Sequence, residues 1–230
     1  MTINSKVDAY YLGETAFAKA VTLQRSLART VEDDNHPGAF LFLKHPPVIT
    51  LGKHADKSHV LVSPRVLKSN GIGLEHTDRG GGVTFHDPGQ IIFYPIFRVR
   101  GLYRVPEYVE MLQEVAINTL AAFGIESVTR SKNPGVWIKD KKISSIGIRI
   151  HNGVVTHGLS LNVSGELKGF KYITACNDPE MLHTTLHQEA RTLMDWEEIL
   201  GVFTKQVEGV FRTHLSWRDT RDYKDSRIPR

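Results

Sequence analysis

Cys176 is the one thiol in a chain of 230 residues. A cysteine becomes a nucleophile near neutral pH when a neighbouring cation draws its pKa, ordinarily about 8.5, downward. Lys142, Lys168, Lys171 and the histidines are the candidate cations. Without such a neighbour a lone cysteine is a small buried apolar side chain. The second unusual segment is Arg79-Gly80-Gly81-Gly82-Val83-Thr84-Phe85-His86-Asp87-Pro88-Gly89-Gln90. Consecutive glycines bare the backbone, so a ligand or another chain segment can approach closely. The alternative is a glycine-rich turn within a hairpin. A phosphate-binding loop requires a helix directly after its glycines, whereas here a β-prone run follows and Pro88-Gly89 then turns the chain. No Gly-Lys-Ser/Thr triplet occurs, which argues against a P-loop ATPase. Arg79 and His86 bracket the glycines with polar groups, as a pocket wall floored by bare backbone would.

Eleven histidines raise the question of a metal. His183 and His187 lie four apart and would share one face of a helix. No third ligand is placed to complete a site and there is no His-Glu-x-x-His, so no metal is expected. His157, ahead of Gly158-Leu159-Ser160, reads either as a satisfied structural imidazole or as a pocket residue.

Three helices are expected to position these groups. Phe17, Ala20, Leu23 and Leu27 form an apolar stripe between Glu14 and Thr30. Pro106 suits a first helical turn, Val109, Leu112, Ala116, Leu120 and Phe123 continue the stripe, and Gly124 ends it. A third helix runs from about Asp195, its candidate N-cap, to His214, with Trp196, Leu200, Phe203, Val207 and Phe211 on one face. Strands are expected at Ala39–Lys44, Val48–Leu51, Val83–His86, Gln90–Phe97, Gly135–Ile138, Lys142–Ile150 and Val154–Val163, the last pair joined by the hairpin signal Asn152-Gly153. The order is helix, strands, helix, strands, helix. That is an α+β chain with a mixed, largely antiparallel sheet flanked by helices, without regular βαβ alternation.

The composition, 40% hydrophobic and 23% charged, is that of a globular chain with a substantial core. No run approaches the ~20 apolar residues of a membrane helix. Met1–Tyr10 lacks a basic segment followed by an apolar one, and one cysteine makes no intrachain disulfide. The expectation is a cytoplasmic protein. The net charge of +4 suits an acidic partner, and the lack of a Lys/Arg run argues against nucleic acid. Residues 216–230 read as a polar C-terminal tail after a single domain over 1–215. No helix shows a second apolar stripe, so a monomer is expected.

The segment Arg79–Gln90, continuing to Tyr94-Pro95-Ile96, resembles the signature of the octanoyltransferases that begin protein lipoylation. Three further blocks agree in order and spacing: His45-Pro46-Pro47-Val48-Ile49-Thr50-Leu51-Gly52, Lys142-Ile143-Ser144-Ser145-Ile146-Gly147-Ile148-Arg149, and Thr156-His157-Gly158-Leu159-Ser160-Leu161-Asn162-Val163. The resemblance runs to about His214. It implies the fold of the biotin and lipoate protein ligase catalytic domains. It implies that Cys176 takes the octanoyl group, that Lys142 supports it, and that Arg79, Gly80, Gly81, Gly82, Val83, Thr84, Phe85, His86, Ser145, Ile146, Gly147, Gly158, Leu159 and Ser160 line the acyl site, with His45 and His157 as further pocket residues. No resident cofactor is implied. The donor is the phosphopantetheine thioester of acyl carrier protein, and the acceptors are lipoyl domains of 2-oxoacid dehydrogenase E2 subunits and the glycine-cleavage H protein. The chain departs from the family pattern at Asp87 and at Asn177, both usually Gly. The rival readings are an ATP-dependent lipoate or biotin ligase, an amidotransferase that moves octanoyl between two proteins, and a non-catalytic acyl-binding module.

Overall fold

The structure is a computed structural model that describes residues 6–33, 36–131, 133–175, 178, 180–191 and 193–219. In chain order it comprises β1 (Lys6–Glu14), α1 (Phe17–Glu32), β2 (Gly38–Lys44), β3 (Val48–Leu51), α2 (Pro64–Ser69), β4 (Gly73–His76), β5 (Val83–His86), β6 (Gln90–Arg98), α3 (Val105–Ala122), β7 (Gly135–Ile138), β8 (Lys141–His151), β9 (Val154–Asn162), β10 (Leu182–His183), α4 (Leu186–Ala190), α5 (Trp196–Phe211) and β11 (His214–Trp217). The large sheet runs β10-β8-β9-β6-β2-β1-β11, with β7 paired to β8, and a small sheet runs β4-β3-β5. The β2-β6-β9-β8-β7 pairings are antiparallel, while β1 runs parallel to β2 and β11, and β10 parallel to β8. This is the expected mixed, largely antiparallel architecture.

Strand alternation splits the apolar run of β2 between two layers. Phe40 and Phe42 turn towards α3 and α5, where Phe93 and Phe211 pack edge-on to Phe40, Phe203 packs edge-on to Phe42, and Phe93 stacks on Phe42. Leu41 and Leu43 turn towards α1, against Ala20 and Leu27. Each such large apolar side chain contributes about 1.5–3 kcal/mol on burial. A third cluster, Ile49, Leu51, Leu67, Val83, Phe85, Ile173 and Ala175, holds the small sheet, α2 and the approach to Cys176 together.

The long strands and helices fall close to their expected positions. α5 is shorter than its apolar stripe suggests: Arg212 adopts a left-handed φ of +52°, and the chain re-enters as β11 at His214. Asp195 occupies the N-cap position without a side-chain cap hydrogen bond. β11 runs to Trp217, two residues past the expected domain end, and residues 220–230 of the expected tail lie outside the described residues. His183 and His187 do not share a helix. The former is in β10 and the latter in α4, because Thr185 starts a new helix by accepting a hydrogen bond from Gln188 N. None of the described helices is long and apolar enough to cross a membrane.

Candidate active site

A cavity of about 380 Å³ opens where the glycine run bridges the two sheets. Gly80 N–H donates to Ile148 O at 2.8 Å, fastening the run to β8, and β5 then carries the chain into the small sheet. The volume lies in the range of small-ligand sites. Arg79, Gly80, Gly81, Gly82, Val83, Thr84 and His86 form one wall; Lys142, Ser145, Ile146 and Gly147 of β8 and His157, Gly158, Leu159 and Ser160 of β9 form the other. Almost the whole expected set therefore converges on one space. Phe85 does not reach the cavity wall. It alternates to the opposite face of β5 and packs edge-on against Phe170 at 5.6 Å. His45 is fully buried beside the cavity, between Thr15 O (2.7 Å from Nδ1) and the Tyr94 hydroxyl (2.9 Å from Nε2). The wall also takes His54, Tyr94, Val109, Asn133, Pro134 and Ile148, none of which was picked out from the sequence as a site residue.

Lys142 is a lysine 2% exposed, on the second residue of β8. A register shift between Val136 and Trp137 sets Trp137 opposite it, and its Nζ lies 5.4 Å from the indole centroid. Gly135 makes this placement possible. Its φ is +146°, and a Cβ there would lie 2.3 Å from Ser144 O and 2.6 Å from Lys142 Cε. On the other flank β10 pairs His183 with Lys142, and the imidazole stacks on Phe170 with centroids 3.5 Å apart. Burial, followed by the adjoining Lys142, pushes His183 down to about 3, so its imidazole is neutral.

The remaining polar groups form two networks. Gln90 Nε2 donates to Phe85 O and Asn162 Oδ1, which leaves Gln90 Oε1 to accept from His86 Nδ1 at 2.9 Å. His86 Nε2 is then the ring's acceptor nitrogen. Burial, with the neighbouring His45 next, lowers His86 to about 3, and burial lowers His45 to about 4. In the second network His157 Nε2 bonds Asp78 at 3.0 Å, and Arg149 and Arg25 flank the same carboxylate. The His157 hydrogen bond, followed by these cations, holds Asp78 well below the usual carboxylate range. His157 itself has φ +59° within β9, and its N–H donates to Gln24 Oε1 at 2.6 Å. Gly158 follows because a Cβ there would lie 2.2 Å from Phe93 O of β6. Arg79 anchors the glycine run through Thr50 O (2.8 Å), Thr50 Oγ1 (2.8 Å) and Gly80 O (3.0 Å).

Cys176 and Asn177 lie outside the described residues. The chain leading to them is described: Thr174 N–H donates to His59 O, Ile173 bridges to Val60, and Ala175 is buried in the small-sheet cluster. At Asp87 the carboxylate accepts from Gly89 N–H at 2.8 Å and caps the turn between β5 and β6, while burial raises its pKa. Among the described residues no three potential metal ligands cluster.

Residues 16–208 match the family model for the lipoyl protein ligase A/B catalytic domain. An octanoyltransferase of Desulfotalea psychrophila is 40% identical over 82% of this chain and 86% of its own. The mitochondrial octanoyltransferase LIP2 of Arabidopsis thaliana is 35% identical over 84% of this chain and 83% of its own. Among solved structures, a lipoate-protein ligase A bound with ATP superposes with a TM-score of 0.78 at 13% identity, covering 95% of this chain and 92% of that one. A biotin protein ligase from Aquifex aeolicus in complex with biotin and ATP gives 0.51 at 12% identity, covering 89% and 70%. At these identities the likeness to the ligases is one of fold.

Proposed function

We propose that this chain, which belongs to the lipoyl protein ligase A/B catalytic-domain family, moves an octanoyl group from acyl carrier protein, through a thioester on Cys176, to a lysine of lipoyl domains. Octanoyl transfer is the activity for which its curated relatives are named, and by that relationship the chain is an octanoyltransferase. The acceptors in this reading are lipoyl domains of 2-oxoacid dehydrogenase E2 subunits and the glycine-cleavage H protein. A cytoplasmic setting, a single domain over 1–215 with a polar tail over 216–230, and a monomeric catalyst without a resident cofactor belong to the same proposal.

The observation that carries the reading is a buried lysine, Lys142, in the wall of a cavity to which the glycine run and the apolar Val83, Ile146 and Leu159 also contribute. In the proposed sequence Lys142 accepts the Cys176 proton, and the thiolate attacks the thioester carbonyl. The carrier thiolate leaves, taking the proton back from the Lys142 ammonium, and octanoyl-Cys176 remains. The acceptor lysine, arriving neutral, attacks this second thioester. Lys142, now neutral, takes the amine proton as the Cys176 thiolate departs. Backbone N–H groups near Gly147 and Gly158 are the candidate donors to the oxyanion. The glycine run and Ile146 and Leu159 offer an apolar bed for the acyl chain. Both acyl transfers start from a thioester, so neither needs ATP. Purified protein, octanoyl-carrier protein and a lipoyl domain are expected to yield octanoyl-lysine without nucleotide and with EDTA present. Product only on addition of free octanoate, ATP and magnesium would replace this reading with that of a ligase.

A further inference from the structure

The charge of this molecule is unevenly placed. α3 carries Glu107, Glu110 and Glu114 with no Lys or Arg, and α5 carries Glu197, Glu198 and Glu208 against Lys205. The helical layer behind the large sheet is therefore acidic although the whole chain is +4. Exposed cations stand on α2 and on the segment after β3, alongside the acidic Asp56 and Glu75. Lys53, Lys57, Arg65 and Lys68 are all exposed, and none makes an ion pair among the described residues. Lys171 joins them, because Leu61 N–H bonds Tyr172 O and Ile173 bridges to Val60. Set among these cations are apolar side chains that water would otherwise expel: Leu61 is 58% exposed, Val66 38% and Leu74 38%. An apolar patch with cations in excess around it is the composition of a surface that receives an oppositely charged protein.

Its position selects the partner. Lys53 N–H bonds Arg79 O and His54 lines the cavity, so this face begins at the cavity wall and extends away from it across α2. An acceptor lysine has a short side chain and must sit over the cavity itself. A donor whose acyl group rides on a long flexible arm can dock to one side and still deliver it. We propose that the face formed by Lys53, Lys57, Arg65, Lys68 and Leu61 docks the acidic surface of the acyl-carrying donor protein. This rests on the octanoyltransferase reading above and adds to it the place where the donor binds.

The test uses the full chain with Lys57, Arg65 and Lys68 changed together to Glu, and separately to Gln in case the reversal impairs folding. Each is assayed with octanoyl-carrier protein and with octanoyl-pantetheine, which has no protein surface. Reversal is expected to raise KM for the carrier donor by at least tenfold, with kcat, the acceptor KM and turnover of octanoyl-pantetheine unchanged. The Gln variant is expected to shift in the same direction by less. The wild-type rate with the carrier donor is expected to fall steeply with added salt, and the variant rate to fall little. An unchanged carrier KM in the Gln variant, an equal loss with both donors, a rise confined to the acceptor KM, or rates that rise with enzyme self-association would each overturn the docking proposal. Absence of turnover by the wild-type protein with either donor would instead overturn the octanoyltransferase reading.

Discussion

At the scale of single residues the account turns on Lys142. A lysine is among the residues least often buried without a purpose, and here it is enclosed by Gly135, Trp137 and a neutral His183. If it moves the protons of both transfers, Lys142→Ala is expected to lower the single-turnover acylation rate by about 10²–10⁴-fold, the usual contribution of a positioned acid–base group. A rate within twofold of wild type would remove it from the mechanism. Most of the cavity was legible in the sequence because three contiguous blocks, Arg79–His86, Ser145–Gly147 and Gly158–Ser160, each bring several consecutive residues to it. Two of the expected residues stand outside the cavity wall for local reasons. Phe85 alternates away from its neighbours on β5, and His45 is drawn off by Thr15 O and Tyr94. His54, Asn133 and Pro134 come from connecting segments whose approach to β8 and β9 only tertiary contacts decide.

At the scale of elements, β8 and β9 hold the two halves of the site in register, pairing Gly147 with Gly158 and Ser145 with Ser160. The β7 edge is the constraint that seats Lys142. Gly135→Ala would force a left-region φ on a residue with a Cβ and press that Cβ into Ser144 O and Lys142 Cε. The expected cost is about 1–3 kcal/mol, read as a lowered urea midpoint together with a reduced kcat. A variant with the wild-type midpoint and turnover would show that β7 does not hold the lysine. The interior strands could be read because β2 and β6 are long, largely apolar runs and β8 and β9 flank the turn signal Asn152-Gly153. The outer ones could not. β10 has two residues, β4 is mostly exposed, and β1 and β11 are a parallel pair joining the two ends of the described chain. Such pairing leaves no local signal.

At the scale of the whole molecule the buried histidines couple stability to pH. His45 and His86 are held to about 4 and about 3 by burial, against an ordinary value of 6.5. Below pH 6.5 the unfolded chain binds these protons and the folded one does not, so stability is complete above 6.5 and declines as pH falls towards the folded values. Each histidine contributes a slope approaching about 1.4 kcal/mol per pH unit within that window. The urea midpoint is expected to be lower at about pH 5 than at about pH 7. Coinciding midpoints would mean that these imidazoles are protonated in the folded protein. The transfer itself is tested most directly by the mass of the intact chain. After incubation with octanoyl-carrier protein and no acceptor, the account predicts a gain of one octanoyl group, discharged when a lipoyl domain is added and absent in Cys176→Ala. An adduct that persists in Cys176→Ala, or octanoyl-lysine formed by that variant at the wild-type rate, would contradict it.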